Sequence, residues 1–220
     1  MMYALGLNNE IIEAKPKESA CCPNCKKKVF SKCGEIRVWH WSHHKDESCE
    51  FSNIKDSLWR SNWIRKADRN KTEKFINGQV VDIVGENGSK IIFVNKRIEI
   101  DEIKKAEDRL KEKIIWVINL EDQKYLKFIY SEEFTLKKKK LYSFKWRWAQ
   151  KEWVNIDKTK SFIIFDLGEK RTIVDNFYGL ITKYQINSKL LYVKDLKLEN
   201  DHLFGKAVEL DEEIFIKRYM

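Results

Sequence analysis

Apolar residues recur at two different periods along the chain, and each period predicts an element. From Ile54 to Asp68 they fall at Ile54, Leu58, Trp59, Trp63 and Ala67, a spacing that predicts a helix. Glu73 to Ile76 reads as a short strand. Asn77-Gly78 then signals a tight hairpin into a second strand, Gln79 to Val84. A turn at Glu86-Asn87-Gly88 leads to Lys90-Ile91-Ile92-Phe93-Val94, apolar on both faces and so expected to be central in a sheet. Asp101 to Lys113 predicts a charged helix with few apolar anchors. Ile114 to Ile118 is another strand of the buried type. Three antiparallel-capable strands, a helix and a further strand predict a mixed α+β or α/β fold for this stretch.

The patterning separates three regions. Residues 1–52 hold all five cysteines and three of the four histidines, residues 53–120 hold the elements above, and residues 121–220 are basic at first, then β-like, then acidic. The aromatic content, 8 Trp, 8 Tyr and 12 Phe in 220 residues, excludes a disordered chain. No segment approaches the length of a membrane span, and Met1 to Lys15 lacks the pattern of a signal peptide. A cytoplasmic, reducing setting is therefore expected, and in it clustered cysteines suit a metal better than disulfides.

Cys22-Pro23-Asn24-Cys25 places two thiolates on one tight turn. The second half of a tetrahedral site must come from His40-Trp41-Ser42-His43-His44 and Cys49. The preferred set is Cys22, Cys25, His43 and Cys49, with His40 as the alternative ligand. On a strand His40 and His43 would face opposite sides, so one of them is expected to be excluded. Cys21 is expected to point away and Cys33 to serve packing, with a ligand role as the alternative for Cys33. Four protein ligands close the coordination shell, so a zinc ion there would be structural and not catalytic.

The formal net charge is +9, and it is localised. Lys137 to Trp153 carries Lys137, Lys138, Lys139, Lys140, Lys145 and Arg147, with Tyr142, Phe144, Trp146 and Trp148 alternating with the cations. As a strand this sets aromatics on one face and cations on the other. The aromatics are then core, or Trp146 stacks on an unpaired base while the cations hold phosphates. The segment 55–74 adds Arg60, Arg65 and Lys66 to a basic side, and residues 195–213 are acidic. Nucleic acid, DNA with single strands included, is the partner this charge suggests.

The order of these motifs resembles the CoiA-like competence proteins. The resemblance rests on CPxC at Cys22–Cys25, the Lys32-Cys33-Gly34 turn, and the His40-Trp41-Ser42-His43 box. It continues with Trp59 and Trp63 four apart, then Glu73 and Asp82 nine apart. Phe144-Lys145-Trp146 and Phe165-Asp166-Leu167-Gly168 extend it toward the C-terminus. It implies a zinc-ribbon-like module at 1–52, a PD-(D/E)XK, restriction-endonuclease-like core at 53–120 and a β-rich accessory region at 121–220. In such a core Glu73 and Asp82 would be catalytic ligands of Mg²⁺ or Mn²⁺.

The sequence departs from that pattern at three places. Ile92 and Val94 stand where the family has a Glu-x-Gln pair. The family's helix Glu falls near Leu58, and Arg60 stands where a His usually follows the first Trp. A hard cation needs oxygen ligands, which Ile92 and Val94 do not offer. The expectation is a degenerate, inactive nuclease fold that binds DNA in processing, uptake or defence. An active nuclease with ligands migrated to Glu99, Asp101 or Glu102, aided by Lys96, is one alternative. A protein-interaction adaptor or inhibitor on the same scaffold is the other.

Overall fold

The computed structural model describes residues 1–44, 48–53, 57–95, 99–111, 114–121, 126–131, 141–147, 149, 153–156, 161–168, 171–177, 180–186 and 189–220. The fold is mixed, with strands predominating. It divides into two compact units, Met1–Ile91 with Met220, and Ile92–Tyr219. The boundary falls inside the stretch 53–120 expected as one core.

Unit 1 opens with five short strands: β1 (Tyr3–Leu5), β2 (Ile11–Glu13), β3 (Ser19–Cys21), β4 (Lys28–Lys32) and β5 (His40–Ser42). They form an antiparallel sheet in the order β2-β1-β3-β4-β5. Trp41 N–H donates to the Met1 carbonyl at 2.9 Å, so β5 also returns to the start of β1. Met1, Ala4, Ala14, Ala20, Val29 and Trp41 pack beneath the sheet, and Cys22 and Phe51 complete that core. Such a core is small for its length, which is the circumstance in which a metal adds decisive stability.

Helix α1 (Leu58–Ile64) follows. It is shorter than the expected 54–68, and Ile54 lies outside the described residues. Ser57 caps it, its Oγ accepting from Arg60 N–H at 3.1 Å. Bonds from Lys66 N–H to the Trp63 carbonyl and from Ala67 N–H to the Ile64 carbonyl tighten its last turn and stop it. Strands β6 (Thr72–Ile76), β7 (Gln79–Val84) and β8 (Lys90–Val94) match their predicted spans almost residue for residue. Asn77 and Gly78 both take positive φ, 50° and 81°, as a two-residue hairpin turn requires.

Unit 2 contains α2 (Ile100–Leu110), β9 (Ile114–Asn119), β10 (Leu126–Ser131), β11 (Leu141–Arg147), α3 (Trp153–Ile156) and β12 (Phe162–Asp166). A two-stranded hairpin, β13 (Arg171–Phe177) with β14 (Leu180–Ile186), follows. Then come β15 (Leu190–Glu199), β16 (His202–Leu210) and α4 (Glu212–Tyr219). Its sheet runs β10-β11-β16-β15-β12-β9, antiparallel except for the parallel β12–β9 pair. Ile103, Ala106 and Leu110 are the buried anchors of α2, at the spacing of one helix face.

Candidate metal centre and the buried acidic pair

Cys22, Cys25, His43 and Cys49 bring their ligand atoms within 4.8 Å of one another. Cys22 Sγ lies 3.9 Å from Cys49 Sγ, and Cys25 Sγ lies 3.3 Å from His43 Nε2. Ligands at 2.0–2.3 Å from one tetrahedral ion lie about 3.3–3.8 Å apart, so the donor set and the spacing both fit zinc. The four residues form a candidate metal site consistent with that ion.

Local structure explains the site. Cys22 N–H donates to the Lys27 carbonyl at 2.8 Å and Lys26 N–H to the Cys22 carbonyl at 3.0 Å, closing the turn between β3 and β4. Lys26 takes a left-handed φ of 61° to complete it. His43 stands just past the end of β5. His40, the alternative ligand, is outside the cluster, and its Nδ1–H donates to the Val38 carbonyl at 2.8 Å. Cys21 is exposed, and Cys33 packs against the small core. Burial pushes the Cys22 thiol up to about 12, while the backbone amides of Cys25 and Asn24 oppose the shift. Asn24 Nδ2 also points at Cys49 Sγ, 3.8 Å away.

Glu73 and Asp82 are both buried, and a single cation joins them. Arg60, on the inner face of α1, donates from Nε to Asp82 Oδ1 at 2.8 Å, with Nη2 on the same oxygen. Its Nη1 and Nη2 both donate to Glu73 Oε1 at 3.1 Å. The other Glu73 oxygen accepts the backbone N–H groups of Met2, at 2.8 Å, and Tyr3, at 3.1 Å. Glu73 is also held at a φ of 46°, a left-handed conformation that costs a non-glycine residue about 1–3 kcal/mol. Four donors on one side chain hold it there. Sequence reasoning placed Arg60 among surface cations. The structure buries it, with 4% of its surface exposed.

The remaining residues divide. Arg65 and Lys66 are exposed, and Lys66 Nζ lies 4.3 Å from the Trp63 ring centroid. On β11, Tyr142, Phe144 and Trp146 are buried while Lys145 and Arg147 are exposed, the alternation expected of a strand. Trp146 packs edge-on against Phe165, with ring centroids 5.7 Å apart, so the candidate base-stacking ring is a core residue. Lys137, Lys138, Lys139, Lys140, Trp148 and Lys96 lie outside the described residues. Ile92 and Val94 are buried. Glu99 and Glu102 form a capping box at the start of α2, with Glu99 N–H donating to Glu102 Oε2 at 3.4 Å.

Two signals for the acidic pair's partner were present in the sequence. Arg60 shares a helical face with Trp63 and Ile64, and it stands beside Trp59 at the departure from the family motif. Among the described residues no helix is long and apolar enough to cross a membrane.

A cluster of three cysteines and one histidine, with a buried acidic pair bridged by Arg60, defines the class of site. Residues 6–52 match the family model of the competence protein CoiA N-terminal domain. The match supports CoiA-like membership and covers about a fifth of the chain. No curated protein and no solved structure matches the chain.

Proposed function

We propose that this is a nucleic-acid-binding protein of the CoiA-like kind, with a structural zinc ion and a degenerate nuclease core. The observation that carries the loss of cleavage is the Arg60 guanidinium, bonded to both carboxylates that would otherwise hold a divalent ion. A fixed organic cation neutralises the acids but has no open coordination position for water or phosphate, so it supplies none of a metal's chemistry. Glu99 and Glu102 form the capping box of α2, which supports a helix-end role for two of the three candidate migrated ligands, Glu99, Asp101 and Glu102.

Charge supports the binding half of the reading. Lys127 of β10 stands directly opposite Lys145 of β11, both exposed. Like charges paired across strands are destabilising, and a polyanion relieves them. Fluorescence anisotropy with labelled single-stranded and duplex DNA at low salt tests this. Binding that weakens steeply with salt, without cleavage in Mg²⁺ or Mn²⁺, is expected. Absence of binding at low salt would reject it, and cleavage lost in EDTA would restore the nuclease.

A second reading, the protein adaptor, is favoured by one feature of unit 1. Trp39 and Leu58 are 46% and 63% exposed and line a common depression of about 290 Å³. Large exposed apolar residues that share a depression mark partner surfaces. A chain that ignores nucleic acid but loses a co-purifying protein on Trp39→Ala would favour this reading over the first.

A further inference from the structure

Unit 1 holds a second cavity, of about 220 Å³, beside the zinc knuckle. Pro23 and Asn24 of the knuckle contribute one wall, and Phe51 and Phe75 another. Arg69 and Lys74 stand at it as well. The metal centre does not use this space, and the Arg60 ion pairs do not fill it. Pockets for drug-sized ligands run to about 300–1,000 Å³, so this one admits a single flat ring system and not the end of a duplex.

The lining has a particular chemistry. Phe51 is buried and its ring centroid lies 6.4 Å from that of Phe75, which fixes the second ring in place. Phe75 itself remains 39% exposed, a large aromatic face left open on β6. Arg69 pairs with Glu13 at 3.4 Å, between side chains 57% and 37% exposed, a contact weak enough to exchange for a phosphate, and its guanidinium lies 5.7 Å from the Tyr3 ring centroid. Lys74 has no ion-pair partner among the described residues. Tyr3 also lines the cavity. A purely apolar occupant would leave both cations idle, and a simple anion would not use the open ring.

We infer that this cavity takes one unpaired nucleobase of a nucleic-acid strand, stacked on Phe75, with the adjoining phosphates on Arg69 and Lys74. The inference rests on the nucleic-acid reading above and narrows it to single strands and to one site. Sequence-tolerant stacking on an exposed aromatic beside a cationic track is how single-strand binders obtain affinity without base readout.

The test uses the full chain with its metal. A fluorescein-labelled oligothymidylate and a hairpin duplex report affinity, and a single 2-aminopurine in the oligonucleotide reports stacking. The wild-type chain should change the 2-aminopurine emission on binding. Phe75→Ala should weaken single-strand binding by at least about fivefold, leave duplex binding within about twofold and abolish the emission change. Phe75→Leu keeps the packing on Phe51 and removes the aromatic face, so the same loss there excludes a folding defect. Replacing Arg69 and Lys74 by Gln should reduce the salt dependence by about one unit per charge. A chain that binds the single strand but is indifferent to Phe75→Leu overturns this inference alone. A chain that binds neither strand overturns the functional reading, and the inference with it.

Discussion

Removing the Arg60 guanidinium would take from the buried Glu73 and Asp82 the cation that joins them. Glu73 would keep the two backbone N–H donors of Met2 and Tyr3. Arg60→Met keeps most of the side-chain volume, so the loss measured is mainly electrostatic. Breaking a buried pair from one side costs about 3–5 kcal/mol. Urea unfolding should report that loss as a lower midpoint with an unchanged slope. The triple variant Arg60→Met, Glu73→Gln, Asp82→Asn should recover part of it, since both carboxylates are then neutral. A single variant within about 1 kcal/mol of the wild type would mean the acids reach solvent, contrary to their burial. The Cys22 thiol gives a second test. With its pKa raised to about 12 by burial, the metal-free residue is protonated at neutral pH. A metal must displace that proton, so zinc affinity should rise with pH throughout the range below 12, and uptake should release protons. Calorimetry in buffers of different ionisation enthalpy counts them; no release above about pH 9.5, where an ordinary thiol is already ionised, would contradict the raised thiol.

Elements whose residues answer to their own neighbours were legible in the sequence, and those that answer to distant partners were not. Strands β6, β7, β8 and β9 followed from local apolar patterning, and the β6–β7 turn followed from the two residues Asn77-Gly78. The knuckle was legible because its ligands are rare residues at a fixed short spacing. Arg60 was not, because a charged residue on a helix ordinarily faces water, and its partners lie 13 and 22 residues away. Trp146 stayed open between core and base stacking for a related reason. Alternation on β11 fixed which residues share a face, but only the packing against Phe165 decides which face is inward. The same packing makes a prediction for β16. A Cβ on Gly205 would lie 2.7 Å from Phe144 Cζ and 2.7 Å from Leu196 Cδ2. Gly205 faces Phe144 across the β11–β16 ladder, so neither strand can shift without losing register. Gly205→Ala should therefore cost about 1–3 kcal/mol by overpacking, seen as a lower Tm. An unchanged or raised Tm would show that the Phe144 ring can rotate out of the way.

At the scale of the molecule, the two units depend on different forces. Unit 2 buries a continuous aromatic and aliphatic core, including Trp116 and Trp153 with ring centroids 6.4 Å apart and the fully buried Phe165 and Phe215. The first 52 residues of unit 1 have five strands of three to five residues over a core of mostly small side chains, with the three candidate cysteine ligands Cys22, Cys25 and Cys49 packed into it. A metal there ties the β3–β4 turn to His43 beyond β5 and to Cys49, constraints that the short strands do not supply by themselves. Metal-binding free energy becomes folding free energy in such a module. Elemental analysis of protein purified without added metal should return about one zinc per chain, and Cys25→Ser or His43→Ala should lose it while Cys21→Ser should not. Chelation should then act locally. Hydrogen exchange after confirmed metal removal should accelerate in residues 19–44, the span of β3, β4, β5 and their turns. Exchange in β12 and β15, which are paired only within unit 2, should change little. Unchanged protection of residues 19–44 without metal would show that the small core suffices, and the ion would then need a role other than a structural one.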